Sequence, residues 1–200
     1  YWNDAWDQWS ENPQAQLKRA SELGQKALAL DDSNSSALRL LSDVDWRQRR
    51  FDQSVAEAER AVAINPNYAD GYMALADVLF VVGRPEDELR ATEKAMRLDP
   101  ASQDWYEYAV GSAYFQMGRY QEGVTALKRS VSVNPNFLAT HLILAATYVE
   151  LGRDQEARAE AAEVMRISPQ FINVPPEKGP LKNKAFAERL YNDCRKAGLK

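Results

Sequence analysis

The chain has very few of the residues from which enzymes build metal centres and nucleophilic sites. Its 200 residues include one cysteine, Cys194, and one histidine, His141. One cysteine excludes an internal disulfide framework, and one histidine with one cysteine cannot complete a zinc site or a nucleophilic triad. The HExxH, CxxC, GxSxG, EF-hand and phosphate-loop patterns are also missing from the sequence. We therefore expect a non-catalytic chain that holds no metal and no cofactor.

The chain also lacks an excess of positive charge and a long hydrophobic run. Its 25 lysines and arginines stand against 29 acidic residues, and the net charge is −4. Basic residues are interleaved with acidic ones, as in Glu57, Glu59 and Arg60, which disfavours a surface that follows a phosphate backbone. No apolar stretch has the length of a bilayer-spanning helix. We therefore expect no nucleic acid partner and no membrane insertion, and the single cysteine fits a reducing, cytoplasmic compartment.

Helix-breaking residues recur along the chain with a constant period. Pro66, Pro100, Pro135 and Pro169 are separated by 34, 35 and 34 residues, and Arg49, Gly83, Gly118 and Gly152 keep the same steps. Proline ends a helix because it lacks a backbone N–H, and glycine ends one by adopting a left-handed conformation. Between these breaks, apolar residues recur at helical spacing, as in Leu38, Leu41 and Val44. Two breaks in each period predict a repeating helical hairpin and an all-α solenoid.

Small residues also recur with this period. They are Ser42, Ala76, Gly111 and Ala145. Together with the glycine and proline positions, they resemble the tetratricopeptide repeat (TPR) family over about residues 13–169. The resemblance implies a right-handed α-solenoid of antiparallel helix pairs, in which small side chains let the two backbones approach closely.

The repeat phase divides the chain into a series of units. We expect a truncated hairpin at 1–34, repeats at 35–68, 69–103, 104–137 and 138–170, a proline-rich linker at 171–182 and a C-terminal capping helix at 183–198. Asn183 is the expected N-cap of that last helix, which would cover the apolar side of the last repeat. Because this phase starts the chain inside a hairpin, we interpret it as a fragment, with Trp2, Trp6 and Trp9 as a cut surface.

Four residues depart from the family pattern or invite a functional interpretation. Arg49 replaces the turn glycine, which predicts a different or a strained turn. Asp45 and Glu88 stand where apolar residues or alanine are usual, and we expect their carboxylates to turn to solvent. If they were buried, each would need a basic or hydrogen-bonding partner. His141 is expected to have a packing role.

The family resemblance implies a binding groove along the inner face of the first helices. The residues expected to line it are Arg39, Asp43, Trp46, Met73, Asp77, Phe80, Trp105, Tyr108, Phe115 and Leu142. Aromatic residues flanked by charges suit an amphipathic helix or an extended peptide. Asp43 and Asp77 would repel a terminal carboxylate, which disfavours the family's chaperone-tail clamp. Two alternatives stay open: these residues bind a partner, or they pack against neighbouring repeats or the chain's own tail.

The two ends of the chain carry a narrower resemblance. The string AWDQWSENPQAQLKRASELGQKALALDDS and the closing RKAGLK resemble the C-terminal TPR region of bacterial proteins with a class III adenylate or guanylate cyclase domain upstream. The resemblance implies a non-catalytic scaffold within a larger bacterial signalling protein, with a protein or peptide as its partner. The alternative is a self-association module that pairs two copies of such a cyclase.

Overall fold

The computed structural model describes residues 13–101, 103–171, 173 and 175–199, and these form ten α-helices without a β-strand. The helices are α1 (Pro13–Leu30), α2 (Ser35–Arg47), α3 (Phe51–Ile64), α4 (Ala69–Val82), α5 (Pro85–Leu98), α6 (Gln103–Gln116), α7 (Tyr120–Val133), α8 (Leu138–Glu150), α9 (Asp154–Ile167) and α10 (Lys184–Lys196). None of them is both long and apolar enough to cross a membrane. The expectations for Trp2, Trp6 and Trp9, and for the helix that would precede α1, lie outside the described residues.

The predicted breaks end the helices as the local chemistry requires. After α4, Gly83 has φ +80°, and the Arg84 N–H donates to Leu79 O at 3.0 Å, which closes a Schellman turn. Arg49 adopts the same left-handed conformation with φ +60°, so of the two expected outcomes the strained turn is the one found. A side chain in this region costs about 1 kcal/mol relative to glycine. The Arg49–Arg50 turn is therefore the strained member of the series.

Small residues let the two helices of each pair come close together. A Cβ atom added to Gly111 of α6 would lie 2.5 Å from Leu127 Cγ of α7, which is too close for any larger residue without a shift. At the equivalent crossing of α2 and α3, Ser42 Oγ donates to Ser54 O at 2.9 Å and Ser54 Oγ donates to Ser42 O at 2.8 Å. Both contacts agree with the expected close crossing.

The helix pairs stack into a curved array. Helices α2 and α3, α4 and α5, α6 and α7, and α8 and α9 form the pairs, and α1 packs on α2. The first helices of successive pairs also pack on one another, more closely than the second helices do. The array therefore curves around α2, α4, α6 and α8, and these helices form its inner face.

The last helix covers apolar surface on the inner face, where it packs on the first helix of the last pair. Asn183 Oδ1 accepts from the Phe186 N–H at 3.2 Å, so Asn183 caps α10 as predicted. Helix α10 packs against α8 and reaches α4 and α6 through Phe186. The Lys182 N–H donates to Val81 O at 2.9 Å and holds the start of α10 beside the end of α4.

The expectation that Asp45 turns to solvent is wrong. Asp45 is 2% exposed, and its Oδ1 accepts from the Arg50 guanidinium, which folds back from the turn after α2. Burial, together with the negative charge of Asp45, raises the pKa of the neighbouring Glu57 carboxyl on α3 to about 7. The arginine is the basic partner that a buried carboxylate at this position requires.

The same expectation is wrong for Glu88, which is 1% exposed on α5. Its Oε1 lies 2.6 Å from Ser112 Oγ, and Gln116 Nε2 donates to its Oε2 at 3.3 Å. Burial raises the pKa of Glu88 well above its usual value. Because Ser112 also has Ala109 O as an acceptor at 3.0 Å, a protonated Glu88 can donate to Ser112 Oγ while Ser112 donates to Ala109.

His141 is buried, as a packing residue would be, but both of its ring nitrogens are engaged. Nδ1 lies 2.6 Å from Glu160 Oε2 on α9, and Nε2 lies 3.0 Å from Pro135 O before α8. A neutral imidazole can donate only one of these bonds, whereas the imidazolium donates both. Burial alone would lower the pKa of His141, but the bonds to Glu160 and Pro135 outweigh it and raise that pKa.

Candidate functional site

The ten predicted groove residues all lie on the helices of the inner face, but they differ in what covers them. Arg39, Asp43 and Trp46 are on α2, Met73, Asp77 and Phe80 on α4, Trp105, Tyr108 and Phe115 on α6, and Leu142 on α8. Arg39, Asp43, Asp77 and Trp105 keep partial exposure, whereas Trp46, Met73, Phe80, Tyr108, Phe115 and Leu142 are buried. The accessible part of the inner face is therefore smaller than the predicted groove.

Two acidic and two basic side chains form what we call the charged patch: Arg39, Asp43 and Arg47 of α2 and Asp77 of α4. Arg39 Nη1 donates to Asp43 Oδ2 at 2.8 Å, and the two side chains are 35% and 30% exposed. Burial raises the pKa of Asp43, and the positive charges of Arg39 and Arg47 oppose that rise.

Asp77 has the most unfavourable environment in the charged patch. It keeps partial contact with solvent but lies deep in the concave surface, where desolvation and the charge of Asp43 raise its pKa well above the usual value. Arg47 and Arg39 act in the opposite direction but do not cancel this effect. An aspartate held in this way costs folding free energy, and perturbed titratable groups of this kind cluster at functional sites.

Aromatic side chains flank the charged patch on α6. Trp105 stacks on Phe137 with ring centroids 5.3 Å apart, and Tyr108 contacts the same ring at 5.2 Å. Trp105 is half-buried, whereas Tyr108 is buried and burial raises its pKa. Sequence reasoning missed Phe137, which immediately precedes α8 and supports the indole of Trp105 from the next repeat.

The other end of the inner face is closed by α10, in a cluster that we call the aromatic clasp: Phe80, Phe115, Phe186 and Arg189. The Phe186 ring meets Phe80 and Phe115 edge-on, with centroids 5.7 and 5.8 Å away. Arg189 Nη2 donates to Phe115 O at 3.2 Å and to Gln116 O at 3.3 Å, and its guanidinium lies 5.1 Å from the Phe115 ring. For Phe80 and Phe115, therefore, packing against the chain's own tail is the alternative found here.

The segment before α10 is tied to the turns of the first two complete pairs. Arg49 Nη2 donates to Gly179 O at 2.7 Å, and Lys182 Nζ forms an ion pair with Asp52 Oδ1 at 2.6 Å. A Cβ atom on Gly83 would lie 2.6 Å from Asn183 Nδ2, so only glycine leaves room for this crossing. These contacts direct α10 along the inner face.

The three remaining predicted residues pack within the array. Met73 is 9% exposed and belongs to a small core cluster with Ala95 and Tyr106. Trp46 is 7% exposed, and the guanidinium of Arg47 lies 4.7 Å from its ring centroid. Leu142 is also 7% exposed and belongs to the main hydrophobic core. Across the described residues, no three His, Cys, Asp or Glu side chains are grouped as metal ligands.

Comparison with known sequences agrees with this architecture. Two family models, both described as tetratricopeptide repeat, match residues 39–103 and 114–174, which together are more than half of the chain. Superkiller protein 3 of Schizosaccharomyces pombe is 28% identical over 119 residues, which are 59% of this chain and 8% of that protein. The TPR repeat-containing protein YpiA of Bacillus subtilis is 28% identical over 93 residues, which are 46% of this chain and 22% of that protein. The chain thus spans less than a quarter of each of these relatives.

Solved structures show the same fold at low sequence identity. The type IV pilus biogenesis factor PilW matches with a TM-score of 0.72 and 18% identity over 91% of this chain and 86% of PilW. The TPR protein TTC0263 of Thermus thermophilus matches with a TM-score of 0.68 and 19% identity over 90% of this chain and 91% of that protein. YrrB, described as a TPR protein with an unusual peptide-binding site, matches with a TM-score of 0.61 and 17% identity over 88% of this chain and 91% of YrrB. From its repeats, its fold and these matches, the chain belongs to the tetratricopeptide repeat family.

Proposed function

We propose that the chain is a non-catalytic protein-interaction scaffold that binds a peptide or helix of a partner at the charged patch and Trp105. The observation that carries this proposal is the pair of partly exposed aspartates, Asp43 and Asp77, whose pKa values are raised on a concave surface. Such an arrangement costs stability, and a basic or hydrogen-bond-donating partner would relieve that cost on binding.

Trp105 supplies the apolar anchor of this site. Its ring is half-buried and stacks on Phe137. It also lies 6.0 Å from the ring of Tyr108, whose pKa the charge of Asp77 helps to raise, so Trp105 stands close to the charged patch. Tryptophan is enriched among the residues that dominate interface energies. The peptide-binding site described for YrrB, which shares the fold, supports the choice of a peptide or helix as the ligand.

We place this scaffold in a larger, cytoplasmic bacterial signalling protein. The resemblance of the two ends of the chain to cyclase-associated TPR regions is what supports this context. The alternative function is self-association, in which the chain pairs two copies of a class III nucleotide cyclase. Light scattering across a concentration series separates the two functions, because self-association requires a mass above the 22.6 kDa of one chain, whereas the recruiting scaffold stays at that mass at every concentration.

The proposed function is tested by selecting peptides from a random library on the intact chain and measuring their affinities for variants. Asp77→Asn and Trp105→Ala should each weaken binding at least about tenfold, because each removes an anchor of the interface. Glu93→Gln is the matched control, since Glu93 is exposed on α5, away from the inner face. Asp77→Asn should melt at or above the wild-type temperature, because it removes an unfavourable charge.

Selected peptides that bind all three variants and the wild-type chain equally would refute the charged patch as the binding site. Loss of folding in Trp105→Ala would show that Trp105 is a structural residue. The Asp77→Asn result decides the question independently, since asparagine keeps the shape of the side chain.

A further inference from the structure

Helix α10 shows what kind of ligand the inner-face surface around Phe80 and Phe115 accepts. It is amphipathic, its Phe186 enters between Phe80 and Phe115, and one turn later Arg189 reaches the final carbonyl groups of α6. The last carbonyl groups of a helix have no N–H partner within that helix. Phe115 O accepts from the Gly118 N–H at 3.1 Å, and its second lone pair can still accept from a guanidinium. The recognition elements are thus an aromatic side chain and an arginine three positions later.

The fit of α10 to this surface is imperfect at two buried polar groups. Arg189 Nε is buried and has no hydrogen-bond partner among the described residues. Asp193 is 1% exposed, and its Oδ1 accepts from Lys196 Nζ at 2.9 Å, but its buried Oδ2 also has no partner there. Each unpaired buried group weakens the docking of α10.

The defect at Asp193 arises from a second carboxyl group. Glu150 at the end of α8 lies within hydrogen-bond reach of Asp193, and two ionised carboxylates can only accept. The other groups around the pair are Tyr120 of α7 and Lys196 and Arg189 of α10. Burial, together with Glu150, raises the pKa of Asp193 to about 6, so at neutral pH the docked helix carries an unfavourable charge.

We propose that the surface beneath α10, formed by Phe80, Phe115 and the last carbonyl groups of α6, is a binding site for a partner's amphipathic helix that carries phenylalanine, arginine three residues later, and a neutral side chain four residues after the arginine, in place of Asp193. Helix α10 is then a built-in competitor that such a helix displaces. This inference rests on the proposed function as a binding scaffold and adds a second surface with a defined partner chemistry.

A helix of this kind binds better than α10 for a local reason. A neutral amide in the place of Asp193 can donate to Glu150, which turns a carboxylate contact into a hydrogen bond. Helix α10 lowers the apparent affinity for every incoming helix, because that affinity is multiplied by the fraction of time that the site is open. We therefore expect a separate peptide with the sequence of α10 to bind the full chain weakly, and a peptide with asparagine in place of Asp193 to bind it more tightly.

The test uses the full chain and three fluorescent peptides that span residues 181–199, all with Cys194→Ser. One peptide has the parent sequence, one adds Asp193→Asn and one adds Phe186→Ala. Fluorescence anisotropy at pH 7.5 should rank the asparagine peptide at least about tenfold tighter than the parent, with no measurable binding of the alanine peptide. Between pH 7.5 and pH 5 the parent should approach the asparagine peptide, because protonation of Asp193 removes the same charge.

Displacement is read from Cys194 of the full chain, which is 3% exposed on α10. Saturating asparagine peptide should make this thiol reactive towards iodoacetamide, and the alanine peptide should leave it protected. Absence of peptide binding, equal binding of the parent and asparagine peptides, or a protected Cys194 in the saturated complex would each overturn the inference. The charged patch is tested by Asp77→Asn with other peptides, so failure here leaves the proposed function to its own experiment.

Discussion

Replacing Phe186 by alanine should release α10 from the inner face without unfolding the helix pairs beneath it. Phe186 is 4% exposed and contacts both Phe80 and Phe115. Removing a buried phenylalanine costs about 3–5 kcal/mol, a figure that includes its aromatic contacts. Each helix pair keeps its own core, because in a solenoid a unit is stabilised mainly by its neighbours. The lost free energy should therefore weaken the docking of α10 and not the folding of the pairs.

Cys194 provides the assay, since it is the single thiol of the chain and lies on α10. In the docked helix, burial raises the pKa of this thiol to about 12, so it is unreactive. Labelling by iodoacetamide then occurs only from the undocked state, and its rate is proportional to the undocked fraction. A loss of about 3 kcal/mol should raise that rate by about two orders of magnitude.

Glu188→Ala is the matched control, because Glu188 is exposed on the same helix. Its labelling rate should stay near that of the wild-type chain. Circular dichroism should show that Phe186→Ala keeps most of its helical signal and melts cooperatively. An unchanged labelling rate, or a rate that rises only together with melting of the whole chain, would refute the reasoning.

Three further predictions concern the polar and strained positions. Arg49→Ala should be less stable than Arg49→Gly by about 1 kcal/mol in urea unfolding, because both lose the side chain and only alanine keeps the left-handed strain at φ +60°. Protonated His141 should make its full contribution to stability below pH ~6.5, and the wild-type chain should lose that contribution as the pH rises through the raised pKa of His141. In melts between pH 5.5 and 8.5, His141→Gln should flatten this dependence of stability on pH. Glu88→Gln should stay within about 1 kcal/mol of wild type at pH 5 and become relatively more stable towards pH 8, because the raised pKa of Glu88 makes its ionisation unfavourable in the fold; parallel pH profiles of the two proteins would contradict this.

Local patterns were enough to predict the helix breaks and the N-cap of α10, and the family resemblance predicted the close crossings. Gly83 ends α4 through its own left-handed conformation, Asn183 caps α10 through a side-chain bond to Phe186 three residues away, and Gly111 leaves space for α7. Each of these depends on a few neighbouring residues or on the repeat phase. The period therefore carried most of the information about the fold.

The buried carboxylates show where this local reasoning fails. A glutamate on a helix is usually exposed, and the sequence around Glu88 gives no sign of Ser112 and Gln116, which follow 24 and 28 residues later. Asp45 had a closer clue in Arg50, five residues away, but the bond forms only because the turn at Arg49 reverses the chain. Burial of a polar group is decided by partners that the fold brings together.

The sequence by itself determined a solenoid of helical hairpins and a final amphipathic helix, because periodicity, caps and breaks act within a few residues of one another. The tertiary structure alone decided where that helix lies. Its position depends on contacts between residues distant in the chain: Lys182 with Val81 at its start, Phe186 with Phe80 and Phe115 along its length. The same docking decided which predicted groove residues remain accessible, because burial on the inner face is the sum of such long-range contacts.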